Sequence, residues 1–386
     1  MIGFIDVLTC GGLFILSFIV FLNPSKNNIL ANKWLSLFLF SLGLFLLHGP
    51  FISFDVYIKF PFLINVTDTA AFIVAPSLYL STIGFVVPGK RFESKDLLHF
   101  MPTFILVFIL FPFYYENVTE NLNILNVATY SENRIPSIFL FVLLAIYWFL
   151  SFRKIYVHQK NIRLFASFLD YIDLIWLRNF LLALVFMLLV WLNEIFQNFQ
   201  FIRNYASIFF FIAIYYLGYH ILSQKNIFGT KPDEISEMKV VLEQNKLIEE
   251  LDKNELNEQE VVNLKRNLLS EEQINTLKMK LEHLMTSEKP YLESTLNLTL
   301  LAKMMDINPH ELSYLLNKGF KDNFFGFVNN YRIEKSKILI LYSESSNLNM
   351  LGITYESGFN SKSTFYTAFK KSVKMTPAEF RKLNKM

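Results

Sequence analysis

Long runs of apolar residues, separated by short polar loops, occupy the first 222 positions of this 386-residue chain. A helix of about 20 residues crosses a hydrocarbon core of about 30 Å, and seven of the runs approach that length. The first run has no preceding basic residue and no small-residue cleavage pattern after it, so we interpret it as a retained span rather than a signal peptide. We therefore predict seven transmembrane helices, near residues 2–22, 34–54, 62–87, 97–114, 136–152, 176–196 and 205–222.

The pattern changes after residue 222, where charged residues alternate with Leu, Ile and Val. Residues 223–285 contain 13 acidic and 9 basic side chains, which is typical of a solvated helical linker. A heptad register begins with Ile235, Met238 and Leu242 and is interrupted at Asn245 and Glu249. A short dimerising helix and a solvated spacer are therefore alternatives. Ser270 followed by Gln273 predicts a capping box that opens a helix ending near residue 285.

Two similar patterns of apolar and turn residues follow, at residues 301–317 and 353–370. In the first, an apolar stretch from Leu301 is followed by a turn at Asp306 and a second apolar stretch. In the second, Gly358 takes the turn position, where a left-handed backbone is least costly for Gly and tolerable for Asp. Each pattern predicts two helices joined by a tight turn, which is a helix-turn-helix motif.

The helices of these motifs have recognisable caps and apolar faces. Asn308 is placed to cap the second helix of the first motif, and Asn360 or Ser361 to cap that of the second. Residues 324–341 predict one rigid connecting helix between the motifs, with an apolar face. The residues expected on the buried faces of the motifs are Leu312, Leu315, Phe365 and Phe369. The apolar positions of the connecting helix are Phe327, Tyr331, Ile338 and Leu341.

Composition also separates the chain into two halves. The chain is 53% apolar, with 42 Phe and a mean hydropathy of +0.34, which exceeds the usual content of a soluble domain. Residues 1–222 hold only 13 Lys or Arg and 11 Asp or Glu, whereas the remaining 164 residues hold 23 and 22. Cys10 is the single cysteine, so an intramolecular disulfide and a cysteine-based zinc site are excluded. A membrane half followed by a soluble, cytoplasmic half is the simplest account.

Basic residues in the short loops predict the orientation, because Lys and Arg are retained on the cytoplasmic side. Three alternate loops together hold ten basic residues, and the other three hold one each. The N-terminus is therefore expected outside and the C-terminal half inside. The basic loops contain Lys26, Lys33, Lys90, Arg91, Lys95, Arg153, Lys154, Lys160, Arg163 and Arg178, and the opposite loops contain Lys59, Arg134 and Arg203.

The C-terminal residues from about 289 to 381 show several short segments at a distinctive spacing. These are Lys289-Pro290-Tyr291, Leu312-Ser313, Asn330-Tyr331-Arg332, Gly358-Phe359-Asn360-Ser361-Lys362-Ser363, Phe369-Lys370-Lys371 and Thr376-Pro377. In these segments the chain resembles the AraC/XylS transcription regulators, and its multi-span front half resembles their membrane-anchored branch. The sequence departs from the family pattern at Thr354, where Ala is usual, at Asp306, where Gly is frequent, and at Val373-Lys374, where Thr-Gly is usual.

The resemblance implies which side chains contact DNA, since the second helix of each motif enters the major groove. Two motifs held rigidly on one chain would reach groove segments about 34 Å apart. Residues 289–386 hold 14 basic and 8 acidic side chains, a modest surplus that suits specific contacts. The implied contacts are His310, Ser313, Tyr314 and Asn317 in the first motif, Lys362, Ser363, Thr364, Tyr366 and Thr367 in the second, and Lys370 and Lys371 on phosphates.

Four ionisable residues fall inside the predicted spans, where they are costly and by default candidates for function. With the orientation above, Asp6, His48, Asp68 and Glu194 all lie in the outer third of the bilayer, which suggests one polar ligand pocket open to the outside. The alternative is that each caps a helix, faces water or pairs with a neighbouring span. No metal site or cofactor is expected.

The predicted fold class is all-α: a seven-helix transmembrane sensor or anchor domain (1–222), a charged helical linker (223–285) and an AraC-type tandem helix-turn-helix domain (286–386). The expected function is one-component transcription regulation from the bacterial cytoplasmic membrane. Partners implied are double-stranded DNA, the lipid bilayer, RNA polymerase, a small-molecule or envelope signal, and a second copy of the chain in a homodimer.

Enzymatic classes find little support, because the sequence has no Gly-rich phosphate loop, no H-E-x-x-H and no G-x-S-x-G. A multi-span transporter or membrane enzyme with an appended regulatory domain is the alternative, and it would require polar residues across the whole bilayer. The signal could pass through the linker as a change in module spacing within a dimer, or by proteolysis near residues 223–232.

Overall fold

The computed structural model describes residues 2–22, 28–87, 89–105, 108, 134–167, 172–196, 200–223, 240–243, 269–342 and 348–384. Within these ranges the regular secondary structure is helical, and the one β-type pairing is an isolated antiparallel bridge between Ala166 and Asn297. The predicted all-α class is therefore confirmed for the described residues. The chain divides into an apolar unit, Met1–Val157 with Leu174–Ile227, and a C-terminal unit, His158–Asp173 with Phe228–Met386.

The apolar unit is built from long helices whose sequences are almost free of charge. Its helices are α1 (Ile2–Leu22), α2 (Ile29–Leu46), α3 (His48–Ser53), α4 (Val56–Lys59), α5 (Leu63–Val86), α6 (Arg134–Asn161, whose end extends into the C-terminal unit), α7 (Ile175–Phe196) and α8 (Gln200–Leu222). Small residues allow α1, α2 and α5 to pack closely. Ser17 and Ser36 each donate a hydrogen bond to the other's carbonyl oxygen at 2.9 Å, and a Cβ on Gly84 would lie 2.8 Å from the Ala31 Cα. Such contacts are typical of helices that pack inside a bilayer.

Four helices among the described residues are long and apolar enough to cross a membrane: Phe4–Leu22, Ile29–Ser53, Leu63–Val86 and Ile138–Leu164. Two shorter apolar helices, Ile175–Val190 and Ser207–Leu222, coincide with the sixth and seventh predicted spans. The predicted span at 97–114 begins in a 3₁₀ helix, Ser94–Phe100, and lies partly outside the described residues. Four candidate spans are thus found, and the count of seven stays a prediction.

From residue 269 onward, the described residues of the C-terminal unit form seven α-helices, arranged around two apolar cores. They are α9 (Glu271–Ser287), α10 (Leu298–Met305), α11 (Pro309–Gly319), α12 (Phe324–Leu341), α13 (Met350–Glu356), α14 (Lys362–Val373) and α15 (Pro377–Leu383). The capping box predicted for α9 is confirmed: the Ser270 N–H donates to Gln273 Oε1 at 2.9 Å, and the Gln273 N–H donates to Ser270 Oγ at 3.3 Å.

Helix α9 packs into the first core through Leu281, Leu284 and Met285. It therefore belongs to the C-terminal unit, although the predicted linker extended to residue 285. Of the heptad segment of that linker, only residues 240–243 are described; they are helical, and Val241 and Leu242 pack in the first core. The domain boundary at 286 stays a prediction, and the packing of α9 favours a start near residue 270.

The long helix α12 joins the two cores, as a rigid connecting helix should. Its first half packs into the first core through Phe324, Phe327 and Val328, and its second half packs into the second core through Ile333 and Ile340. Of the apolar positions named from the sequence, Phe327 is buried and Tyr331 packs against the first core, whereas Ile338 and Leu341 are each 51% exposed. The helix contacts the second core through a different stripe from the first, because α13 and α14 approach it from a different side than α10 and α11.

Candidate nucleic-acid interface

The first helix pair consists of α10 and α11 joined at Asp306. Asp306 has a left-handed backbone (φ 57°) and ends α10, and the next N–H, that of Ile307, donates to the Ala302 carbonyl at 3.1 Å. This is a left-handed C-cap of the kind usually built with Gly, and it explains how Asp serves where Gly is frequent. The turn therefore forms where the sequence predicts it.

Helix α11 begins at Pro309, directly after its cap residue. The Asn308 N–H donates to Glu311 Oε2 at 2.9 Å, which confirms Asn308 as the N-cap of this helix. Leu312 and Leu315 are fully buried in the first core, as predicted. The opposite face of α11 is thereby fixed toward solvent.

The second helix pair, α13 and α14, has a tighter turn at Gly358. Gly358 has φ 89°, and an added Cβ would lie 2.3 Å from the Tyr291 carbonyl oxygen. The turn thus needs Gly both for its dihedral angle and for lack of space. Of the two caps left open by the sequence, Ser361 is the one used, since its Oγ accepts from the Thr364 N–H at 3.2 Å.

The Thr that replaces the usual Ala at position 354 has a local explanation. Thr354 is fully buried, and its hydroxyl donates to the Met350 carbonyl at 2.7 Å, so the additional polar atom is satisfied within the same helix. The predicted core residues Phe365 and Phe369 are fully buried and contact each other edge to face at 5.6 Å between ring centroids. The second pair therefore keeps a closed apolar core despite this departure from the family pattern.

Arg332, in the middle of α12, connects the two helix pairs. It is 1% exposed, and its guanidinium donates to the carbonyls of Tyr291 at 2.7 Å and Glu293 at 2.8 Å. The same group lies 5.7 Å from the centroid of the Phe359 ring, beside the Gly358 turn. Burial lowers the pKa of Arg332 to about 10, and Glu293 partly offsets this, so the group remains a cation at neutral pH.

In the sequence, Arg332 is part of the Asn330-Tyr331-Arg332 segment, and no role was predicted for it. The available signal was its position between Tyr331 and Ile333 on a helix predicted to be buried, since Arg is almost never fully buried unless it is paired. The contacts themselves join residues 39 and more positions apart. No local pattern could have supplied them.

The exposed face of α14 is cationic. Helix α14 contains Lys362, Lys370 and Lys371 and no acidic residue, and Lys374 follows as its C-cap. The Lys362 ammonium lies 5.4 Å from the centroid of the Tyr366 ring, one turn further along the same face. Of the remaining predicted contacts on α14, Ser363 and Thr367 are exposed, and Thr364 is half-buried. This face is thus open to a polyanion along its whole length.

The exposed face of α11 is less charged. Its predicted contact residues His310, Tyr314 and Asn317 are half-buried on the outer side of the helix. Ser313 differs from them, because only 5% of it is exposed. The structure therefore separates Ser313, which lies on the packed side, from the other three residues.

The comparisons with known proteins address this part of the chain. A family of AraC type, described as "Helix-turn-helix domain", matches residues 301–383, which extend from α10 into α15 and include both helix pairs. The C-terminal unit contains an AraC-type helix-turn-helix domain. The match supports the expected role in DNA-binding transcription regulation, and from here we call residues 301–383 the AraC-type domain.

A relative in Bacillus subtilis (strain 168) also matches the chain. It is described as "Uncharacterized HTH-type transcriptional regulator YdeC", and it is 40% identical over 58 residues, which are 15% of this chain and 19% of the relative. The chain thus covers about a fifth of that curated relative. No solved structure matches the chain significantly. The family match therefore concerns residues 301–383 and not the apolar unit.

The predicted ligand-pocket residues of the apolar unit are only partly brought together. His48 Nδ1 lies 2.9 Å from the Tyr57 hydroxyl, which in turn lies 3.0 Å from Thr67 Oγ1, next to Asp68 in the chain. Asp6 is half-buried on α1, and the side chain of Glu194 is outside the described residues. No group of three or more His, Cys, Asp or Glu placed to hold a metal occurs among the described residues.

Proposed function

We propose that this chain is a membrane-bound transcription regulator that binds a specific DNA sequence through both helix pairs of its AraC-type domain. The proposal rests mainly on the face of α14, where Lys362 and several hydroxyl groups lie at a capped helix N-terminus, Lys370 and Lys371 lie in the last turn, and the helix has no acidic residue. Such a helix places its N-terminal half against base edges and its lysines against phosphates. The match of the domain to a family of DNA-binding regulators supports the same function.

The proposed contacts are those that the family resemblance implies, except for the one that is buried. On α14 they are Lys362, Ser363, Thr364, Tyr366 and Thr367 for bases, with Lys370 and Lys371 for phosphates; on α11 they are His310, Tyr314 and Asn317. We leave Ser313 out of this set because its side chain is buried. Since α12 packs into both cores, the two pairs are held as one body that would read two groove segments on one side of the duplex.

Lys362→Ala is expected to weaken binding of the full-length protein to its operator by about tenfold, because a lost base contact costs about 1–3 kcal/mol. Lys370→Ala combined with Lys371→Ala should instead weaken binding to all sequences and lower the slope of log K against log salt by about 2. The measurement is a titration of labelled operator at several salt concentrations, with an operator found by genome-wide mapping of bound DNA.

The matched control for these variants is Lys337→Ala, on the exposed side of α12. Lys337 forms an ion pair with Glu334 at 2.6 Å and lies on neither α11 nor α14, the helices proposed to contact DNA. Its loss should leave affinity and salt slope unchanged. An equal effect of Lys337→Ala and Lys362→Ala would show that α14 has no special place in DNA binding.

We also propose that the apolar unit anchors the chain in the cytoplasmic membrane and senses a signal from outside. Four helices have the length and composition to span a bilayer, and the loop charges favour a cytoplasmic AraC-type domain. The hydrogen-bonded series from His48 through Tyr57 to Thr67 supports a polar site beside Asp68. Polar groups within membrane-spanning helices are energetically costly, so a hydrogen-bonded cluster of them is a candidate functional site.

Replacement of Asp68 by Leu, and of Glu194 by Met, should shift the dose-response of a reporter gene toward higher stimulus, because each removes a polar group from the proposed site. The control is Asp55→Asn, since Asp55 is exposed in the turn between α3 and α4. If both apolar variants respond as the wild type does, the pocket is not part of sensing.

A further inference from the structure

The segment that connects α6 and α7 belongs to the C-terminal unit, although both helices are mostly in the apolar unit. Phe165 in this segment is 5% exposed and lies in the first core, together with residues of α10 and α11. The Leu298 N–H donates to the Phe165 carbonyl at 2.9 Å, and Ala166 forms an antiparallel bridge with Asn297, the N-cap residue of α10. A loop between two apolar helices is thus built into the start of the first helix pair.

Ser167 continues this contact onto α12. Its carbonyl oxygen accepts from Arg332 Nη1 at 3.0 Å, and its hydroxyl oxygen lies 3.1 Å from Arg332 Nη2 and donates to the Leu296 carbonyl. Asn329 Nδ2 also donates to the Ser167 carbonyl, at 3.4 Å. Ser167 is fully buried. The loop therefore completes the hydrogen-bond set of the buried Arg332 that joins the two helix pairs.

The length of α6 explains how the loop would leave the bilayer. The helix has 28 residues and is about 42 Å long at about 1.5 Å per residue, which exceeds a hydrocarbon core of about 30 Å. Its last turns contain Arg153, Lys154 and Lys160, so the surplus length is at the end that precedes the loop. The loop would then lie on the same side of the membrane as the AraC-type domain.

We propose that residues 162–167, the docking loop, bind the AraC-type domain as an intramolecular partner and hold its first helix pair in the DNA-binding arrangement. Movement of α6 and α7 withdraws the loop, loosens α10 and the middle of α12, and weakens DNA binding. The docking itself is independent of the proposed function; its effect on DNA binding rests on that function.

Docking is tested by a disulfide in the full-length protein in isolated membranes. The chain has one cysteine, so Cys10→Ser gives a clean background. Ala166→Cys with Asn297→Cys places two cysteines at an antiparallel bridge, where Cα atoms are about 4.5–5.5 Å apart and suit a disulfide. A protease site inserted at residues 250–260 then reports the bond, because the two fragments stay together on a non-reducing gel only when it has formed.

The control pair is Ala166→Cys with Asn349→Cys. Asn349 caps α13 as Asn297 caps α10, and its Oδ1 accepts from the Gly352 N–H at 2.8 Å, so each pair loses one equivalent cap. We expect the fragments of the first pair to remain linked until reductant is added and those of the control to separate. Equal linkage in the two pairs, or none in the first, would overturn docking.

The effect of docking is tested with Phe165→Asp, which places a carboxylate where the loop enters an apolar core. Amide hydrogen exchange of the full-length protein should become faster in α10 and α12 and stay unchanged in α14, and operator affinity should fall by about tenfold. The control is Phe92→Asp in another predicted cytoplasmic loop, where Phe92 is 53% exposed. Unchanged exchange in Phe165→Asp would show that the loop does not hold the first helix pair.

The two tests separate this proposal from the function on which it partly rests. If the disulfide forms and exchange changes while no form of the protein binds DNA specifically, docking stands and the proposed function fails. If Phe165→Asp loosens α10 and binds its operator as tightly as the wild type, the regulatory part of the proposal fails and the proposed function stands.

Discussion

Gly358→Ala is expected to unfold the second helix pair of the AraC-type domain. The new Cβ would lie 2.3 Å from the Tyr291 carbonyl oxygen and 2.9 Å from the Leu292 Cα, both of which are backbone atoms that cannot rotate away. The φ of 89° adds backbone strain for any residue with a side chain. Together the strain and the overlap should cost at least about 3 kcal/mol. Hydrogen exchange in α13 and α14 of the full-length protein should rise accordingly.

The control for this variant is Gly352→Ala, in the first helix of the same motif. Its Cβ would meet the end of the Leu348 side chain at 2.9 Å, which can move, and φ is not positive there. Ala also favours helix over Gly by up to about 1 kcal/mol. Gly352→Ala should therefore leave exchange unchanged or slower. Equal hydrogen exchange in the two variants would contradict the claim that the turn at position 358 requires Gly.

Arg332→Met should loosen both helix pairs at once, with a loss of about 3 kcal/mol or more. Replacing a buried charge together with its partners by apolar groups is often harmless. Here the partners are the backbone carbonyls of Tyr291, Glu293 and Ser167, which cannot be replaced and would each lose the guanidinium donor. Hydrogen bonds that involve a charged group contribute about 1.5–3 kcal/mol each. A fall in the thermal unfolding temperature, with faster exchange in α10 and α14 together, is the expected observation.

Lys337→Met provides the comparison, because it removes a cation from the same helix at an exposed ion pair with Glu334. Exposed pairs of this kind contribute about 0.3–0.5 kcal/mol, so its unfolding temperature should stay near that of the wild type. If Arg332→Met were equally harmless, the guanidinium would not be the connection between the helix pairs.

Features that depend on neighbouring residues could be predicted from the sequence. The capping box at Ser270 and Gln273, the cap at Asn308, and the turns at Asp306 and Gly358 all formed where their local patterns placed them. Each involves residues within a few positions of one another, and its chemistry is determined by those residues alone. The buried faces of α11 and α14 followed for the same reason, since helical spacing defines them.

Features that depend on distant residues could not be predicted. The bonds from Arg332 to Ser167 join positions 165 apart, and nothing near Ser167 in the sequence distinguishes it from an ordinary loop residue. The buried face in the second half of α12 also depends on distant residues. Whether Ile338 or Ile340 is buried depends on where α13 and α14 approach the helix, and the apolar pattern of α12 permits both.

Some candidate DNA contacts are exposed as expected, and one is not. The exposure of Lys362, Ser363 and Thr367 agrees with the face that the family resemblance implies, whereas Ser313 lies on the packed side of α11. The number of spans is a separate case. The sequence contains seven apolar runs, and four helices among the described residues are long and apolar enough to cross a membrane.

In the proposed function, one chain reads two segments of a DNA site with two rigidly joined helix pairs. Hydroxyl-radical footprinting of the full-length protein on its operator measures whether both segments are bound. The predicted result is two protected segments whose centres are about 34 Å, or one helical turn, apart, with Lys362→Ala weakening protection of only one of them at saturating protein. Uniform protection that does not depend on sequence, or a single protected segment unaffected by Lys362→Ala, would contradict the account.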